Sequence, residues 1–94
     1  MSAHTPVTIF EATPAEYPDF KRLNLAWIEQ YFRVEPHDIE QLNDPEQHIL
    51  AAGGRILVAQ YQGTIVGTVA LVQVSPVQFE LAKMAVDQIG RAHV

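Results

Sequence analysis

The sequence contains no cysteine, which excludes a disulfide framework, a thiolate metal site and a cysteine nucleophile. Positive charge is scarce: six lysines and arginines face eleven aspartates and glutamates, a formal net charge of -5. Nucleic acids and anionic membrane surfaces are bound through basic patches, so neither is expected as a partner. Long apolar runs are missing as well. The longest, Val66 to Val74, contains Gly67, Thr68 and Gln73 and is too short to span a bilayer. The start, Met1-Ser2-Ala3-His4-Thr5-Pro6, has no basic n-region or apolar segment of a secretory signal, and a cytoplasmic protein is expected. No nucleophile elbow, P-loop or dinucleotide glycine motif occurs. His37, Asp38 and His48 fit no short ligand spacing, so no metal is expected.

What is present is a short, apolar chain. Its 94 residues are 48% hydrophobic and 18% charged, too apolar for a disordered segment and short enough for one small domain. Val7-Thr8-Ile9-Phe10-Glu11-Ala12 reads as a first strand over residues 7–12. Thr13-Pro14-Ala15-Glu16 is a capping box, with proline at N1 and glutamate at N3. It opens a helical segment over 14–32, in which Pro18 divides an opening turn from the main helix. Phe20, Leu23, Trp27 and Tyr31 recur at helical steps and read as its buried stripe. Pro36 starts a second helix over 36–43, since the residue before a proline avoids helical geometry. Asp44-Pro45-Glu46-Gln47 starts a third over 45–50.

From Arg55 the period changes to that of strands, over 55–61, 64–74 and 77–86, with a tail over 87–94. Gln62-Gly63 marks a hairpin. The second of these strands is apolar on both faces, as a central strand is. In the last, period-two alternation places Glu80, Ala82, Met84 and Val86 opposite Phe79, Leu81, Lys83 and Ala85. The helices can cover one face of such a sheet; the other needs more protein.

The order of these pieces, ending in Met84-Ala85-Val86-Asp87, resembles the first half of the GNAT superfamily of N-acetyltransferases. The run Gln62-Gly63-Thr64-Ile65-Val66-Gly67-Thr68-Val69-Ala70-Leu71 is similar to that family's second and third strands. The resemblance covers Val7 to Asp87. It implies an α+β fold, a partial GNAT fold of order β-α-α-β-β-β, with a mainly antiparallel four-stranded sheet and helices packed on it. It also implies acetyl-CoA as cofactor, a primary amine as acceptor (a small amine or a peptide N-terminus), and binding of the pantetheine arm along the fourth strand. Met84, Ala85 and Val86 are the matching cofactor-binding residues. Gly90 and Arg91 resemble the end of the loop that cradles the pyrophosphate with helix N-terminal amides. That loop departs from the family pattern in Gln88-Ile89-Gly90-Arg91-Ala92-His93-Val94, and the resemblance implies a domain truncated there. Glu80 is the candidate general base; its alternative is a solvated strand residue paired with Lys83. Tyr31 and Phe32 are candidates for the acceptor side, or for ordinary packing.

Two functions stand side by side at this point. One is an acetyl-CoA-dependent N-acetyltransferase fragment, expected to be inactive alone. The other is a non-catalytic module that forms a homodimer through the exposed strand Val77 to Val86, because an apolar sheet edge invites pairing.

Overall fold

The computed structural model describes residues 6–87; Gly90 and Arg91 lie outside them. β1 (Thr8–Glu11), β2 (Arg55–Tyr61), β3 (Thr64–Ser75) and β4 (Gln78–Val86) form a four-stranded sheet in chain order, antiparallel throughout. Between β1 and β2 run a 3-10 turn (Pro14–Glu16), α1 (Tyr17–Tyr31), α2 (Pro36–Asn43) and a π-helical turn (Glu46–Leu50).

The caps act where the sequence places them. Ala15 donates its N–H to Thr13 Oγ1 at 3.3 Å, and Thr13 donates its own to Glu16 Oε1 at 2.8 Å. Pro18 is the second residue of α1, inside the first turn, where an N–H has no intrahelical acceptor to lose. The main helix therefore begins at Tyr17 rather than at Pro18. It ends one residue earlier than expected, because Phe32 is extended, with φ -144° and ψ 179°. Gln47 donates its backbone N–H to Asp44 Oδ1 at 3.3 Å, which starts the π turn.

β2 and β3 join through Gln62-Gly63 alone, with φ of 50° and 80°. Two central residues of positive φ make the tight hairpin whose twist matches that of the strands. Gly54, before β2, has a different reason to be glycine. A Cβ there would lie 2.4 Å from the Leu71 carbonyl oxygen and 2.8 Å from that of Ile49.

The core lies on one face of the sheet. Phe20, Ile28, Leu42, Ile49, Ile56 and Ala70 form one buried cluster, and Leu23, Val58, Ile65 and Ala85 another. The stripe of α1 differs from the expected one. Phe20 and Leu23 are buried, but the stripe continues through Asn24 and Ile28, while Trp27 is half-buried and Tyr31 is 51% exposed. Asn24 is tolerated inside because its Nδ2 donates to the Phe20 carbonyl at 2.8 Å, and a buried polar group that is hydrogen-bonded avoids most of its desolvation cost. Thr68 similarly donates its hydroxyl to the Leu57 carbonyl at 3.1 Å.

The expected alternation of β4 needs correction. Ala70 pairs with Lys83 and Leu71 with Leu81, so Ala82 is an extra residue with no partner in β3, a β-bulge. The bulge shifts the phase of the strand. Lys83 and Ala85 share the helix-covered face with Glu80, whose partner is Val72. Leu81, Met84 and Val86 share the other face with Ile9, Leu57, Val69 and Leu71 around an open apolar depression of about 460 Å³. Glu80 therefore does not share a face with Met84 and Val86.

Gly54→Ala is expected to cost about 1–3 kcal/mol, because backbone rather than a mobile side chain blocks the new methyl. The check is a urea unfolding curve, read as a lower midpoint at unchanged slope.

Candidate functional site

Where α1 runs out, its last turns and the extended linker to α2 stand against β4 and leave a cleft of about 440 Å³. Trp27, Ile28 and Phe32 supply apolar walls from the helix side, and Ala82, Lys83 and Met84 form the opposite wall. The bulge is thus in the wall itself. Trp27 packs on Tyr31 with ring centroids 4.6 Å apart and planes tilted by 50°. Phe32, at 68% exposure, stands out into solvent at the mouth.

The electrostatics of the cleft centre on Asp38. Its Oδ1 lies 2.8 Å from Lys83 Nζ, and its Oδ2 accepts the Glu35 backbone N–H at 3.0 Å. One carboxylate thereby caps the start of α2 and ties it to the strand just past the bulge. Both side chains are well covered, Lys83 at 11% exposure and Asp38 at 18%, so solvent screens this pair less than an exposed one. The hydrogen bond from Lys83, followed by that from Glu35, holds the Asp38 carboxyl below its ordinary range. Lys83 therefore pairs with Asp38 rather than with Glu80.

Of the sequence-derived candidates, the cleft gathers Phe32 and Met84. Ala85 is buried against Leu23, Val58 and Ile65. Val86 lies on the open face, and Tyr31 backs onto Trp27 from outside the lining. Glu80 is exposed on β4, on the far side of the bulge from Lys83 and outside the cleft lining. Asn24, Asp38 and Lys83 line the cleft without having been singled out for it. A lone cation in a mostly apolar strand was the available signal for Lys83. Among the described residues, no three histidine, aspartate or glutamate side chains gather as a metal site would require, and no helix is long and apolar enough to cross a membrane.

Solved structures share this architecture. An acetyltransferase of the GNAT family from Staphylococcus aureus Mu50 matches 92% of this chain with a TM-score of 0.76 at 24% identity. An acetyltransferase from Streptococcus agalactiae 2603 matches 97% of it with a TM-score of 0.63 at 17% identity. The matches cover only 56% and 62% of those two chains, so this chain spans less than two thirds of their length. At such identity the likeness shows the fold: α+β, a partial GNAT fold. No protein-family model matches the sequence, and no curated protein sequence does so.

Asp38→Asn and Lys83→Met are each expected to destabilise the protein by about 1.5–3 kcal/mol, the range for hydrogen bonds to charged groups. A double-mutant cycle checks that the losses are not additive. Because the folded pKa of Asp38 is depressed, its contribution is complete above the ordinary carboxylate range, about pH 4. It is lost as pH falls through the lower folded value. Acid unfolding of Asp38→Asn should lack that component.

Proposed function

We propose that this chain is the N-terminal half of a GNAT-type, acetyl-CoA-dependent N-acetyltransferase, which transfers acetyl to a primary amine. The observation that carries the reading is the bulge at Ala82, set in the wall of a cleft on the outermost strand. Among the described residues β4 has no neighbour on its outer side, so its outward backbone groups are open to an extended ligand, as at other sheet edges. Met84, Ala85 and Val86 keep regular pairing to Val69, Thr68 and Gly67 on the inner side. They fit the pantetheine arm as an added strand. Acetyl-CoA supplies the acetyl group as an activated thioester.

The chain's own residues then have distinct tasks. β4 orients the thioester, while the linker after α1, with Phe32 and beside Tyr31, holds the acceptor amine. The nitrogen–carbon bond forms as the carbon–sulfur bond breaks; the thiolate leaves with the electron pair, and the amine gives up a proton. At the bulge, a peptide N–H freed from the ladder suits the negative charge that develops on the carbonyl oxygen. Glu80, outside the cleft lining, would accept the amine proton through water. Holding both reactants in one cleft supplies much of the rate by removing the cost of their encounter. The similar structures are longer by more than a third of their own length, so we assign turnover to the complete fold and expect none from these residues alone.

A second reading, a homodimer joined along Val77 to Val86, is supported by the exposure of Val77, Phe79, Leu81 and Met84 on or beside the outer strand. Strand pairing between two copies would also occupy the backbone groups that the first reading gives to the cofactor.

Acetyl-CoA is expected to shift the backbone amide NMR signals of residues 82–86 saturably, with desulfo-CoA shifting the same ones. Signals unmoved at millimolar acetyl-CoA would overturn the cofactor reading. Sedimentation equilibrium tests the second: the dimer reading expects an association that Leu81→Glu weakens, and a clean monomer across the concentration range rules it out.

A further inference from the structure

We infer that the cleft takes a primary amine carried on an apolar, aromatic-sized body, and that it discriminates against polyamines. This specificity rests on the acetyltransferase reading for its chemistry and on the cleft alone for its binding.

The charges in the cleft carry the first part of the argument. Two cations, Arg33 and Lys83, and two anions, Glu35 and Asp38, line it. Lys83 and Asp38 neutralise each other at 2.8 Å and are the better covered pair. Arg33 and Glu35 are both exposed, one cation and one anion at the rim. The formal charge of -5 on the chain is therefore not gathered here, and a polycation would find no run of carboxylates to match its spacing. It would instead meet the exposed cation Arg33 beside the single rim carboxylate. A single ammonium finds one carboxylate at the rim in Glu35, exposed although it also takes part in the capping box of α2.

The walls carry the second part. Trp27, Ile28, Phe32, Ala82 and Met84 are all lining residues, so most of what a ligand body touches is apolar. Phe32 is the telling one. It is a large aromatic at 68% exposure, placed by the extended backbone that ends α1, with most of its ring left uncovered by the described residues. A flat apolar body entering against Phe32 would remove that surface from water.

Trp27 is the only tryptophan in the sequence, so ligand entry can be followed by its emission without labelling. The titrants are 2-phenylethylamine, phenylalanyl-glycinamide, 2-phenylethanol and spermidine, added to the whole chain. Both aromatic amines are expected to change the emission saturably, at least about tenfold more tightly than spermidine. The alcohol should bind more weakly than the amine it matches. Whichever aromatic amine binds more tightly identifies the source, a free amine or a peptide N-terminus. Phe32→Ala should weaken the aromatic amines by about tenfold with the circular dichroism spectrum unchanged, and Glu35→Gln should abolish the preference for amine over alcohol.

Spermidine binding as tightly as the aromatic amines would overturn the inference, as would the absence of a saturable change with either aromatic amine at millimolar concentration. The amide shifts described for acetyl-CoA separate this result from the broader reading. Aromatic amines that bind a protein indifferent to acetyl-CoA would leave the cleft's specificity standing and remove the transferase. The reverse pattern would keep the transferase and remove the specificity.

Discussion

A sheet has two faces, and in this chain α1 and α2 cover only one of them. That constraint organises the molecule. Phe20, Leu23 and Ile28 meet Ile56, Val58, Ala70 and Ala85 on the covered side, and every fully buried apolar side chain serves that single interface. The other side keeps Leu57, Val69, Leu71, Leu81 and Met84 at or near the surface. Because all the packing is on one side, the end of α1 is also the limit of the core. The cleft opens there, where the helix stops and the strand continues.

The shape of that cleft depends on few interactions. The linker from Phe32 to Glu35 has left helical geometry, and a short extended segment has little backbone pairing to hold it. Asp38 compensates by using both carboxylate oxygens, one toward the Glu35 amide and one toward Lys83. A carboxylate in a partly covered site is well suited to this, because its two oxygens accept in different directions and its charge strengthens both bonds. The helix start, the linker and the strand wall are thereby fixed relative to one another through a single side chain.

Much of this was legible beforehand, for physical reasons that differ from place to place. The Thr13–Glu16 box, the Gln62-Gly63 turn and the change of period at Arg55 are local signals, and local chemistry set the outcome. The stripe of α1 was misread because the helix is apolar on more than one side: Trp27 and Tyr31 sit at helical spacing from Leu23, yet the burial runs through Asn24 and Ile28. Periodicity ranks faces by hydrophobicity and gives no credit to an asparagine satisfied by its own helix backbone. The bulge was invisible for another reason. Alternation assumes a regular pleat, and a residue as small as Ala82 violates neither face pattern, so only pairing with β3 reveals it. The link between Lys83 and Asp38 spans 45 positions in the chain and depends on that hidden phase shift.

The extra residue at Ala82 makes β4 two half-strands in antiphase, joined at one point. Odd positions before the joint and even positions after it look the same way. Removing that one residue would leave Leu81 opposite Leu71 and Lys83 opposite Ala70 in a regular pleat, with each side chain on its present face. A residue gained or lost elsewhere in the strand would instead carry Ala85 out of the core, unless the bulge took up the change. A strand built this way can lose a residue at the joint and keep its faces; what would change there is the outline of the cleft wall.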